Sequence, residues 1–186
     1  MKCPLWPKRS AYTVSRAPVT GRARRARVDL AQSLTRADGL EDLGAKAEFM
    51  DKRALYDFIR ARKFAVMASV TSLRAPEAAL VGYALTPEFE LVFDTTDATR
   101  KCANLRANPN IAFVIGWDGS ETVQYEGIAD EPAGAERERL KKIYFEAFPD
   151  GVSRQEWPGL TYFRVKPRWI RFSSYYRPRS ITEFSF

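Results

Sequence analysis

From Asp51 onward the chain alternates apolar and polar positions with a regularity that its first 48 residues lack. Residues 51–63, DKRALYDFIRARK, put Leu55, Phe58 and Ile59 at i, i+3, i+4 spacing and turn Arg60 and Arg62 away, which predicts an amphipathic helix. Phe64 to Thr71 is an apolar β run, Ser72 to Pro76 a turn, and Ala78 to Leu85 a second strand. Thr86-Pro87-Glu88 turns the chain into a third strand, Phe89 to Phe93. Asp94 to Ala98 is polar and turn-rich. Thr99, Arg100 and Lys101 then open a short helix that Asn108-Pro109 stops. Ile111 to Gly116 forms strand four, Trp117-Asp118-Gly119-Ser120 a hairpin turn, and Glu121 to Asp130 strand five. Residues 133–148 predict a charged helix with Leu140, Ile143, Tyr144 and Ala147 as its apolar side, ended by Pro149 and Gly151. After a loop through Trp157 to Gly159, strand six (Thr161 to Val165) passes through Pro167 to strand seven, Trp169 to Ser173. The last ten or so residues read as an arm.

Short strands at this spacing, interrupted by two helical insertions, predict a mainly β chain with α insertions built as an antiparallel barrel. The expected organisation is a basic extension over 1–48, one domain over 49–176 and a C-terminal arm over 177–186.

Charge refines this division. The formal charge is +7, but residues 1–28 hold eight Lys or Arg and no acid, leaving 22 basic against 23 acidic groups in the rest. The basic balance belongs to the N-terminal stretch and gives no reason to expect a nucleic-acid partner for the domain. Three readings of that stretch stand side by side: an organelle transit peptide, a disordered arm that meets anionic partners, or an upstream extension with the natural start at Met50. It is expected to be disordered and dispensable. No apolar run is long enough to span a membrane, so a cytoplasmic location is expected, with organelle targeting by residues 1–28 as the alternative.

Histidine is absent, which excludes a Ser-His-Asp triad and every His-ligated metal site. Cys3 and Cys102 suggest neither a disulfide framework nor a metal cluster. Asp94, Glu126 and Asp130 offer no close carboxylate pair by spacing, so no general acid or base is assigned. The candidate chemistry sits instead between Asp94 and Lys101. A hydroxyl-rich loop, a helix N-terminus and two adjacent cations together suit a phosphate. Cys102, behind those cations, reads either as a thiol of lowered pKa or as a small helix residue packed on the barrel.

The order of motifs, Pro-Glu-Ala-Ala-Leu-Val-Gly, Leu-Val-Phe-Asp-Thr, Thr-Arg-Lys-x-x-Asn-Leu-x-x-Asn-Pro and Val-Gln-Tyr-Glu-Gly-x-Ala, resembles the pyridoxamine 5′-phosphate oxidase-like family of FMN-binding split β-barrels. The ending Tyr-Phe-Arg-Val-Lys-Pro-Arg-Trp-Ile-Arg resembles that family's last barrel strands, so the resemblance covers roughly Asp51 to Tyr175. It implies a homodimer with flavin in grooves between protomers. It places the flavin phosphate near Thr95, Thr96, Thr99, Arg100 and Lys101, and lays Leu80, Val81 and Gly82 along the isoalloxazine ring. It brings Gln124 and Trp169 or Arg171 from the partner subunit. The implied function is FMN-dependent oxidation or reduction of a small molecule. The alternative is a binding or sensor module for flavin or the deazaflavin F420. Two departures bear on substrate. Glu77 and Gly82 fall where the family's true oxidases have Arg and Lys, and the Arg-x-His pair that holds their substrate has no counterpart here. Haem, which other relatives bind, is disfavoured by the missing axial histidine.

Overall fold

The computed structural model describes residues 50–176 and 178–186; the basic N-terminal extension lies outside them. Asp51 caps helix α1 (Lys52–Arg60), its carboxylate accepting from the Ala54 N–H at 2.7 Å. Leu55 and Ile59 are buried under the barrel, while Phe58, on the same face, is half-buried. The strands are β1 (Phe64–Val70), β2 (Pro76–Gly82), β3 (Ala84–Leu85), β4 (Leu91–Thr96), β5 (Asn110–Ile115), β6 (Glu121–Asp130), β7 (Leu160–Ser174) and β8 (Ser180–Ser185). Helix α2 (Arg100–Ala107) follows β4, and α3 (Gly134–Ala147) with the single turn α4 (Gly151–Arg154) lies between β6 and β7. The sheet runs β2-β1-β5-β6-β7-β4-β3, with β8 added to β7, and every pairing is antiparallel. It curls into a split barrel: the strand pattern predicts the antiparallel barrel and the family resemblance its split form.

Alternation along the strands sorts inside from outside. Ala65 and Met67 of β1, Ile111, Phe113 and Ile115 of β5, and Val123 and Tyr125 of β6 face the core with Phe93, Phe163, Val165 and Ile170. A smaller cluster outside the barrel joins Leu140 and Tyr144 of α3 to Ala84, Val92 and Tyr162. Charge reinforces it: Arg164 of β7 bonds Asp130 of β6 and Glu136 of α3. Tyr125 is fully buried and carries a hydroxyl into the core. Its hydroxyl is shared between the carbonyls of Phe89 (3.0 Å) and Val165 (2.9 Å), and burial pushes its pKa up.

Five stretches differ from the sequence expectation. The expected second strand, Ala78 to Leu85, breaks at Tyr83 into β2, which pairs with β1, and β3, which pairs with β4. Phe89 does not start a strand: it takes φ +64° in a turn closed by its N–H on the Thr86 carbonyl, with the Thr86 hydroxyl accepting from Glu88 and Glu90. Asp94 to Thr96 belong to β4, because Leu160, Thr161 and Tyr162 pair with them. The two strands expected around Pro167 are one, and the register against β6 shifts there between Glu126 and Gly127, which accommodates a residue without an N–H. The expected arm contains β8, whose end brings Phe186 to 5.2 Å from Phe89.

Tyr125→Phe keeps the packing and removes the donor that the Phe89 and Val165 carbonyls share. It is expected to lower unfolding free energy by about 1–3 kcal/mol, read as a lower urea midpoint at unchanged slope.

Candidate functional site

The end of β4 runs into the N-terminus of α2 through three threonines that hold one another. Thr99 caps the helix, its hydroxyl oxygen accepting from the Cys102 N–H at 3.4 Å. The same hydroxyl donates to the Thr96 carbonyl at 2.8 Å, so the 2.9 Å contact with Thr95 has the Thr95 hydroxyl as donor. The first-turn N–H groups of α2 have no acceptor within the helix and face this threonine cluster's end of the chain. Thr99 is therefore the helix cap, and the Thr95 and Thr99 hydroxyl protons are both committed within the loop.

The loop forms one end of a groove of about 350 Å³. Thr95, Thr96, Thr99 and Lys101 line that end, and Leu80, Val81 and Gly82 of β2 line another wall. Seven of the eleven residues singled out in the sequence thus converge. Arg100 does not line the groove. Its guanidinium is 2.7 Å from the Glu77 carboxylate of β2. Gln124, Trp169 and Arg171 do not line it either. Gln124 is exposed on β6, paired with Val114 on one side and Arg171 on the other. Arg171 lies 3.9 Å from Glu183 of β8, and Trp169 pairs with Glu126.

Asp94, Arg154, Trp157 and Leu160 complete the lining. Asp94 had been weighed only as a general acid or base. Its carboxylate instead accepts from the Tyr144 hydroxyl at 2.8 Å and from Arg154 at 3.0 Å, and Asp150 also holds Arg154. Burial, followed by the Asp94 charge, pushes the Tyr144 phenol well up, so it stays a donor at neutral pH. Phe148, stacked on Tyr144 at 5.0 Å, packs directly on Gly82; a Cβ there would meet its ring at 2.8 Å. Local signals for Arg154 and Phe148 were absent, because their positions depend on α3 and α4 folding back across β4. Cys102 is fully buried, and burial pushes its thiol up, opposite to the activation its neighbouring cations suggested. The packed-residue reading holds.

The pyridoxamine 5′-phosphate oxidase family profile matches residues 51–174. The chain belongs to this family. No curated protein sequence matches it. Solved structures share its fold at low identity. One is a heme-binding protein from Mycobacterium smegmatis, at 18% identity and TM-score 0.62, covering 69% of this chain and 55% of that one. Another is the heme storage protein HutZ of Vibrio cholerae, at 14% identity and TM-score 0.57, covering 72% of this chain and 93% of that one. A NimC/NimA family protein from Clostridium acetobutylicum matches at 12% identity and TM-score 0.56, covering 71% of this chain and 92% of that one. The present chain thus spans little more than half the length of the Mycobacterium smegmatis protein. For this family member, Lys101 and the threonines give the groove a polar, cationic part beside α2, and Leu80 and Trp157 are its exposed apolar side chains, while the Val81 side chain points into the barrel core.

Gly159 holds the groove's loop in place. Its carbonyl accepts from the Asp97 N–H at 2.8 Å, its φ is +73°, and a Cβ would meet the Asp97 carboxylate at 2.1 Å. Gly159→Ala is expected to destabilise by about 1–3 kcal/mol in denaturant unfolding, from both backbone strain and the displaced loop. Gly119→Ala, at a site with nothing within 4 Å, serves as the control and should be close to neutral.

Proposed function

We propose that the groove binds a flavin through its phosphate, FMN in the first place, and that the protein is a flavin-dependent oxidoreductase acting on a small molecule. The observation that carries this is the meeting of Lys101, the threonine loop and the α2 N-terminus in a groove walled by a strand. The donors left for the group are the Lys101 ammonium, the Thr96 hydroxyl and the free backbone N–H groups of the first α2 turn, all of which favour an anion. The Leu80 side chain and the backbone of Val81 and Gly82 would lie along the ring, with Trp157 as a second apolar wall. Bound flavin supplies hydride or electron transfer at its ring, and the protein supplies binding, orientation and electrostatics.

Pyridoxamine phosphate is a poor candidate for the substrate, given Glu77 and Gly82 at the two strand positions and no histidine in the chain. Haem, named in two of the similar structures, is not favoured. None of the groove-lining residues is a His, Cys, Met or Tyr, its usual axial ligands. A flavin or F420 module without turnover is the alternative.

We further propose that the active form is a homodimer. The outer face of β2, β1 and β5 exposes Leu80 (60%), Phe64 (49%), Val114 (40%) and Val66 (36%). Pairing aligns Leu80, Val66, Val114 and Gln124 in one row across four strands. An apolar row ending in a polar residue suits an interface core and rim. A groove near the small end of the usual ligand range also suits a site completed by a partner.

Purified protein should be yellow with added FMN, and NADH or NADPH should bleach it if it is an enzyme; colour without a reductant response means a carrier. Lys101→Ala should weaken FMN on the order of tenfold to a hundredfold and leave riboflavin, which lacks the phosphate, almost unchanged. Equal losses would place the phosphate elsewhere. Light scattering should give a dimer at micromolar concentration, and Val66→Asp, which puts a charge in the centre of the apolar row, should give a folded monomer. A wild-type monomer with FMN present would sink the dimer.

A further inference from the structure

Arg100 and Lys101 are adjacent in sequence, yet only Lys101 lines the groove. What separates them is Glu77. Its carboxylate is the fixed member of the pair. One oxygen lies 2.7 Å from the Arg100 guanidinium, and the other accepts from the Asn104 side-chain amide at 2.8 Å. That amide also donates to the Ser69 hydroxyl at 3.1 Å, and Asn104 and Ser69 are buried, at 7% and 3% exposure. The Glu77 side chain is 20% exposed and that of Arg100 is 83% exposed. A carboxylate tied to a buried amide does not follow the cation. A long exposed guanidinium can swing.

An exposed arginine paired in this way adds little to stability. Its consequence is for an anion arriving next to it. A phosphate monoester carries a charge of about −1.5 to −2 near pH 7 and needs cations that are not already matched. Glu77 competes with it twice, by holding Arg100 and by adding a like charge beside the α2 N-terminus.

We propose that Glu77 is a specificity-determining residue that limits the affinity of this groove for phosphate monoesters by holding Arg100 away from it. This rests on the flavin-phosphate reading above. Phosphate binding by the wild-type protein then draws mainly on Lys101 and the helix terminus. Arg100 contributes only to the extent that it leaves Glu77. Glu77 thus acts through Arg100, and removing its charge should release that cation to the ligand without touching the apolar walls.

The test is flavin titration of the full chain, followed by fluorescence quenching, with FMN and riboflavin as probes. Glu77→Gln keeps an oxygen acceptor for the Asn104 amide and removes the charge. It should tighten FMN by about tenfold, leave riboflavin within about twofold, and steepen the salt dependence of FMN binding. Arg100→Ala should cost the Glu77→Gln protein clearly more FMN affinity than it costs the wild type. A purely structural role for Glu77 would move both flavins together and would show no such coupling. Glu77→Ala, expected to act in the same direction, stands in if the Gln variant melts early. If wild type prefers FMN over riboflavin but neither Glu77 variant tightens FMN, the competition is refuted while the phosphate site stands. If wild type does not distinguish the two flavins, the phosphate site fails and this proposal fails with it.

Discussion

Strand β7 carries the constraint on which both barrel and groove depend. Along its length it pairs with three strands: β6 on one edge, and β4 and then β8 on the other. β4 holds Leu160 to Val165 and β8 holds Trp169 to Ser174, so that edge changes partner across Lys166 to Arg168. Pro167 sits in this gap. It has no N–H to leave unpaired, and the register shift against β6 falls beside it. The first pairs of β7, Leu160 with Thr96 and Thr161 with Thr95, fix the groove loop. They bring the Gly159 carbonyl onto the Asp97 N–H and place Trp157 along the lining. The position of the threonine end is therefore a result of sheet register.

This explains which parts of the chain were legible in its sequence. Helix α1, β1, β5 and β6 are half-buried elements whose period alone reveals them, and the Thr99–Asn108 helix has both a cap and a stop. The antiparallel barrel followed from their number and spacing, and its split form from the family resemblance. The partner change in β7 was not legible, because a proline between two apolar runs reads as a break when the sheet edge it faces is unknown. β8 was missed for a related reason. SITEFS has little apolar content, and its strand state comes from the open edge of β7. Within the site, threonines and cations could be read locally. Arg154 could not, since its place is set by Asp94, sixty residues away in the chain. Nor could the division of labour between Arg100 and Lys101. It depends on Glu77 of β2, whose carboxylate holds Arg100.

The groove's charges are mostly committed to scaffold. Asp94 and Arg154 are both largely buried and satisfy each other, with Tyr144 adding a donor to the carboxylate. Removing one partner of such a pair leaves an uncompensated charge, at a cost of about 3–5 kcal/mol where burial is deep. Arg154 is thus bound first to holding α4 against β4, and only secondarily offers a polar wall. Glu77 takes Arg100 in the same manner at the other side of α2. What is left for an incoming anion is Lys101, which has no ion pair among the described residues, and the N-terminal dipole of α2.

Leu80 links this groove to the outer face of the sheet. It lines the groove and also heads the exposed apolar row that continues through Val66 and Val114. A second copy seated on that row would cover Leu80 from one side while a ring in the groove covers it from the other. Each event would remove apolar area that the other no longer has to expose, and each would exclude water from the contacts of the other. The two equilibria are then linked, and linkage is reciprocal: whatever factor the ligand adds to association, association adds to ligand affinity. The proposed cofactor and the proposed dimer are therefore one thermodynamic claim. Both rest on an apolar strand whose outer side chains have no cover among the described residues.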